Sequence, residues 1–408
     1  MQRRAIGILR KSRGQNSPTL ATSLGNLADL VAYQARNAEA ELLSQQAQTI
    51  WEQLVGPDHS NVAACLNNRA GLCRKLGRFA DAERFYQGAT AIWEKTDAQG
   101  QVNIALCLNN LAQLNMTQGR YLEVEPLLQR ALGIQEKELG PDHTDIASTL
   151  NSLATLRKAQ GRYSDAESLF RRALSIRKKA SGPHHLAVAV IMNNLAEVCQ
   201  LMSRLPEAET LYRQVVVILE TSLGAEHPDL GMALNNLASL YRDQRRYSEA
   251  EPLFQRALRL KEKALGQTHP DIAIITNNLG SMYLEQKKYE GAESLLSRSL
   301  DIREKTLGPE HPDVANSLHG VAKLYFLQHQ YVEAEPLYRR AIAILEKSLG
   351  PSHPNLAQFL AGYAGLLENT RRKPEASAMK SRALAIQAKG QGYRSASQTV
   401  NVEDLSKK

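Results

Sequence analysis

Histidine, cysteine and asparagine recur in this chain at places where they could do chemistry. Histidines His59, His143, His185, His227, His269, His311 and His353 take seven of the ten, and four are followed by Pro, three of these by Pro-Asp. Imidazole ligates metals and moves protons near neutral pH, so the series first suggests a metal. Ligands must converge within about 2.0–2.2 Å of one ion, however, and these side chains fall in register on a 42-residue spacing. One His per structural unit makes a row rather than a cluster. The spacing instead predicts helix starts: His near the cap, Pro at the first helical position, Asp in the first turn where the helix dipole favours it. No metal and no cofactor is expected.

The cysteines Cys65, Cys73, Cys107 and Cys199 form no CxxC pair and have no His cluster beside them, so zinc is not indicated. They read as small core residues in a reduced, cytoplasmic compartment. No phosphate-binding loop, no Ser-His-Asp arrangement and no isolated carboxylate pair is present, and a chain of near-identical units gives little opportunity for a unique catalytic site. The expectation is that this is not an enzyme.

The asparagines are more suggestive. They come as doublets, Asn67-Asn68, Asn109-Asn110, Asn193-Asn194, Asn235-Asn236 and Asn277-Asn278, with Asn151 beside Ser152. A side-chain amide offers one acceptor oxygen and two donor hydrogens, so it can pair with both polar groups of a peptide backbone. A regular row would hold an extended chain without demanding a sequence. The competing reading is internal: the amides satisfy neighbouring backbone or bridge adjacent helices.

These residues are positioned by a repeat. Gly308-Pro309-Glu310-His311-Pro312-Asp313 recurs 42 residues earlier as Gly266-Gln267-Thr268-His269-Pro270-Asp271, again from Gly224, Gly182, Gly140 and Gly56, and forward from Gly350. The unit at Ala98-Gln99-Gly100-Gln101 has lost the motif and kept the register, and a worn copy begins at Gly14. Nine units therefore span 14–390, with the last one worn and capping. Each carries two helical stripes. In one unit Leu234, Leu237, Ala238 and Tyr241 mark the first helix, from about Pro228 to Gln244. Ala250, Leu253, Phe254, Ala257 and Leu258 mark the second, from about Ser248 to Leu265. A single pair cannot bury its apolar faces, and stacking neighbours supplies one continuous core. The expected fold is an all-α, right-handed superhelical solenoid of helix-turn-helix repeats rather than several globules.

The spacing of large, Leu, Gly/Ala and Tyr positions on the first helix, and of Ala, Phe/Tyr and Ala on the second, resembles the tetratricopeptide repeat. Leu234-Asn235-Asn236-Leu237-Ala238-Ser239-Leu240-Tyr241, Tyr331-Val332-Glu333-Ala334-Glu335-Pro336-Leu337 and Glu346-Lys347-Ser348-Leu349-Gly350 resemble the kinesin light chain type, in a bacterial relative rather than a motor subunit. No heptad segment like that of kinesin light chains is present. The resemblance implies a concave groove lined by first helices, with the asparagines binding a peptide. It also implies basic residues that read acidic cargo. Arg74, Lys158 and Arg242 are the candidates, diluted by Glu197, Asp243 and Glu285.

The chain opens with Arg4-Ala5-Ile6-Gly7-Ile8-Leu9, which parallels Arg340-Ala341-Ile342-Ala343-Ile344-Leu345. Residues 1–13 are therefore expected to be an unpaired second helix, and 391–408 a polar tail. The formal net charge is +8, yet residues 1–13 carry +5 and 371–408 carry +6, leaving −3 for 14–370. The basic balance belongs to the ends, so a specific nucleic-acid stripe loses its support. No apolar run is long enough to cross a membrane. The expected function is a protein-interaction scaffold or adaptor that grips an extended peptide of a partner. The alternative is the repeat arm or sensor region of a larger multidomain regulator, contacting another domain of the same chain.

Overall fold

The structure is a computed structural model that describes residues 16–33, 36–95, 98–118, 120–353 and 355–396. The expected half-repeat at 1–13 lies outside the described residues, as do residues 397–408. Helices are the only regular element among the described residues, and they come in pairs: α1 (Pro18–Tyr33) with α2 (Asn37–Val55), α3 (Ser60–Lys75) with α4 (Phe79–Glu94), α5 (Ala98–Thr117) with α6 (Tyr121–Leu139), α7 (Thr144–Ala159) with α8 (Tyr163–Ser181), and α9 (Leu186–Leu201) with α10 (Leu205–Leu223). Then follow α11 (Leu230–Asp243) with α12 (Tyr247–Leu265), α13 (Pro270–Glu285) with α14 (Tyr289–Leu307), α15 (Pro312–Leu327) with α16 (Tyr331–Leu349), and α17 (Leu356–Asn369) with α18 (Lys373–Ala396). The chain divides into two compact units, Met1–Ser152 and Leu153–Lys408. In each, helices adjacent in sequence pack on one another and successive first helices also touch, which is the packing of a solenoid. The last helix continues to Ala396, so residues 391–396 belong to it.

The repeated Gly-x-x-His-Pro-Asp sequence explains the boundaries. Gly56, Gly140, Gly182, Gly224, Gly266, Gly308 and Gly350 take φ between 79° and 95°, the left-handed region that glycine enters without a Cβ penalty, and this stops each second helix. Three residues later a His opens the next first helix: His59, His185, His269 and His311 are N-cap residues, and His227 and His353 stand two residues before the N-caps of α11 and α17. The His Nδ1 accepts the backbone N–H two residues on, at 3.1–3.3 Å, in all seven loops: His59 from Asn61, His143 from Asp145, His185 from Ala187, His227 from Asp229, His269 from Asp271, His311 from Asp313 and His353 from Asn355. The helix-start reading of the histidines holds, and among the described residues no group of three or more metal-ligating side chains converges. Where the motif is lost, α5 begins at Ala98 and runs for 20 residues, against 16 in α3 and α7.

Alanine and aromatic positions build the core. Ala238, Ala250 and Ala257 are fully buried and let α11 and α12 approach, while Phe254 fills the space between them. Cys73, Cys107 and Cys199 are buried and Cys65 half-buried. Burial pushes the thiols of Cys65, Cys107 and Cys199 up to about 11, so they stay protonated and inert at neutral pH.

Candidate functional site

The first helices carry the asparagine doublets near their middles. The structure joins them to each other. In the second compact unit Asn278 Nδ2 donates to Asn235 Oδ1 at 3.1 Å, Asn235 Nδ2 donates to Asn236 Oδ1 at 3.1 Å, and Asn236 Nδ2 donates to Asn193 Oδ1 at 3.0 Å. This is an unbroken chain of side-chain amides across α13, α11 and α9, every bond pointing the same way. In the first unit Asn110 Nδ2 donates to Asn67 Oδ1 at 3.1 Å, and Asn67 Nδ2 lies 3.4 Å from Asn68 Oδ1. The rule is simple: the second Asn of a doublet donates to the first Asn of the preceding unit.

The rule also accounts for its failures. The residue that would donate to Asn109 is Ser152, whose short hydroxyl donates instead to the Ser148 carbonyl of its own helix at 3.2 Å, and Asn109 Oδ1 is left buried and unpartnered. The residue that would donate to Asn277 is Gly320, which has no side chain, and Asn277 Oδ1 is likewise left without a partner. Asn109 and Asn235 are buried between helices, Asn68 is exposed, and Asn67, Asn110, Asn151, Asn193, Asn194, Asn236, Asn277 and Asn278 keep part of their surface. Bridging between helices is thus a demonstrated job of these amides. Each bridging amide still has a second N–H and a second lone pair to offer.

The basic candidates are mostly spoken for. Lys158 Nζ sits 2.6 Å from Glu197 Oε2. Arg242 Nη2 sits 2.8 Å from Asp243 Oδ1, with Glu285 Oε1 3.9 Å from its Nε. Arg74 is half-buried and its Nε has no partner. Two of the three cations therefore meet an acid of their own chain before any ligand arrives.

Beside the amide chain lies a recess of about 310 Å³ walled by Leu186, Ala189 and Val190 of α9, Val215 and Leu219 of α10, and Met232 of α11, with Asn193 and Asn194 also on its lining. It exists because of one residue in the second-helix register. That register reads Trp51, Trp93, Gln135, Arg177, Leu219, Lys261 and Arg303. Four of the long side chains find a partner: the Trp93 indole N–H donates to Ser60 Oγ at 3.0 Å, Gln135 Oε1 accepts from Thr149 at 2.7 Å, Lys261 Nζ meets Asp271 Oδ2 at 2.7 Å, and Arg303 Nη1 donates to Ser317 Oγ at 2.9 Å. Leu219 is shorter and leaves space. Val190 stands 57% exposed at the recess, an apolar side chain presented to whatever enters.

Lys261 has a second consequence. In the 42-residue column through Ala189 and Ala273 every other first helix carries alanine, but α11 carries Gly231. A Cβ on Gly231 would lie 2.8 Å from Lys261 Cγ, so the glycine makes room for the buried lysine stem. Sequence reasoning missed both the recess and this pair. The available signal was the break in the alanine column at Gly231, 30 residues before a lysine on an apolar stripe.

The tetratricopeptide pattern matches residues 19–95, 103–179, 152–221, 187–263, 271–347 and 321–389, and a second pattern of the same repeat matches 235–306. The chain belongs to the tetratricopeptide-repeat family. Among curated proteins, none matches it. Solved structures similar to this tetratricopeptide chain include a Rap protein complexed with competence and sporulation factor (16% identity, 85% of this chain and 97% of that one, TM-score 0.55). Another is aspartyl phosphate phosphatase F from Bacillus subtilis (14%, 91% and 94%, TM-score 0.54). A third is BtubC, also called BKLC, from P. vanneervenii (23%, 58% and 92%, TM-score 0.43). Tetratricopeptide arrays are protein-interaction scaffolds whose stacked repeats present extended surfaces. Among the described residues no helix is long and apolar enough to cross a membrane.

Proposed function

We propose that this tetratricopeptide chain binds an extended peptide segment of a partner protein along its first helices. The peptide backbone pairs with the second N–H or lone pair of Asn193, Asn236 and Asn278, with Asn194 beside them on the lining, and one apolar side chain enters the recess beside Val190 and Leu219. The observation that carries the reading is the juxtaposition of a backbone-competent amide row with an apolar recess, since sequence-blind backbone contacts need one anchoring pocket to fix register. Asn67, Asn68, Asn110 and Asn151 extend the same chemistry in the first compact unit. Arg74 is the proposed contact for an acidic residue of the peptide, and Lys158 and Arg242 contribute only by exchanging their present acids for the ligand's. The array in a Rap protein with a bound factor supports the fold's capacity for such a complex.

Panning the purified chain against a random-peptide library tests the reading. Enriched peptides should share one large apolar residue. Val190→Glu, which places a charge at the recess without touching the amide chain, should weaken them more than tenfold with melting unchanged. Absence of any enriched peptide, or unaltered binding by Val190→Glu, overturns it.

A further inference from the structure

The seven capping histidines are not equivalent. Because Nδ1 accepts a backbone N–H in each, each ring is neutral and carries its proton on Nε2; an imidazolium has no acceptor left. Protonation therefore breaks the cap and sets a positive charge at the positive end of a helix dipole. In four loops a replacement is at hand. Carboxylates of Asp145, Asp229, Asp271 and Asp313 lie 3.7–3.8 Å from the Nδ1 of His143, His227, His269 and His311, so the protonated ring exchanges a helix cap for an ion pair. In the other three the residue two places on is Asn61, Ala187 or Asn355, and no such exchange is available there.

We infer that His185 makes the start of α9 an acid-sensitive element, so that mild acidification loosens the wall of the recess that carries Val190, Asn193 and Asn194, while the start of α11 across the recess gains a His227–Asp229 ion pair in exchange. The ionisable groups on the elements adjoining His185 are His184 in the loop, Lys178 and Lys179 in the last turn of α8, and Asp229 and Lys261, which share the recess lining with Leu186. Lys261 is already held by Asp271. None of them stands in the place that Asp229 occupies relative to His227. His59 shares the missing carboxylate, which extends the inference to the start of α3; His353 also lacks one, but burial holds its imidazole below the ordinary range and its Nε2 meets the Ala159 carbonyl, so α17 is left out. The site of action is the recess of the peptide reading, but the device is a property of the free chain and its test needs no ligand.

Native-state hydrogen exchange on the full chain at pH 7.5 and 5.5, corrected for intrinsic rates, reads each helix start separately. Protection over the first turn of α9 should fall by about fivefold, the size of one lost cap, with α3 behaving alike. The first turns of α7, α11, α13 and α15 should change by less than half as much. His185→Asn, a cap that does not titrate in this range, should make α9 indifferent to pH. Ala187→Asp should bring α9 into line with α11. Equal responses of α9 and α11 in the wild-type chain, or a His185→Asn chain that keeps its pH response, overturn the inference. Lost peptide binding with these exchange patterns intact would count against the peptide reading alone.

Discussion

Within the second compact unit, two stretches of first helices solve one problem with different chemistry. From α9 to α13 the contact between neighbouring first helices is a chain of amides through Asn193, Asn236, Asn235 and Asn278. From α15 to α17 the same positions read His319-Gly320 and Ala361-Gly362, and the contact is aromatic. The His319 ring lies 4.6 Å from Phe359 and 5.7 Å, edge-on, from Tyr338. Gly362 allows this: a Cβ there would sit 2.9 Å from Tyr338 Cε1 and 3.2 Å from His319 Nε2. The repeat therefore does not need asparagine to stack. Where asparagine is used, it adds polar groups that the aromatic stretch lacks, and this is why the recess beside Asn193 and not the end at α17 is the place to look for a peptide.

The largest expected effect tests the amide stretch. Asn235→Ala removes an acceptor from Asn278 and a donor from Asn236 inside a buried interface, and should cost about 2–3 kcal/mol in denaturant unfolding; a loss under half that would show the amide chain to be incidental. Changing Asn193, Asn235 and Asn277 together is for the same reason not a clean probe of binding. Gly362→Ala tests the aromatic stretch by the clash just described and should cost about 1–3 kcal/mol. Gly231→Ala, although it restores the alanine of every other unit, should also destabilise, and a neutral result would mean the Lys261 stem moves aside freely.

The two stretches should also part on acidification. Burial, helped by Lys323, lowers His319 from the ordinary 6.5 to about 4. The unfolded chain thus takes up the proton first, so the stability contributed by the neutral ring is complete above about 6.5 and drains away as pH falls through the window down to about 4. Melting followed across that range should show the loss, and His319→Phe should flatten it. The smallest effect is a gain: Ser152→Asn supplies the donor that Asn109 Oδ1 lacks and should raise stability by about 1 kcal/mol.

The helix pairs were legible in the sequence because glycine, histidine and proline at fixed spacing state both ends of a helix in local chemistry. Even the loss of that motif before α5 left a readable trace, since the register continued. The amide row was legible as a pattern, but its bonding was not. Which oxygen faces which nitrogen depends on the offset between neighbouring first helices, and no single unit encodes that offset. The recess was hidden for a related reason: it is the absence of bulk at Leu219, felt by residues from three other helices. Nothing in the local sequence marks Lys261 as buried, and only its contact with Asp271 across the helix junction accounts for it.

The one-way rule of the amide chain bears on how such an array can change length. Each second Asn looks only to the unit before it, and Gly231 and Lys261 lie within a single period of 42 residues. Excising Gly224 to Leu265 would join Leu223 to Gly266, keep a glycine at the helix stop, and remove the lysine together with the glycine that accommodates it. Asn278 would then face Asn193 across the new junction, and the seam would close on the same bond. Genetic slippage by whole units would leave a chain that still folds, shorter or longer by one rung, with its interior hydrogen bonds renewed at the scar.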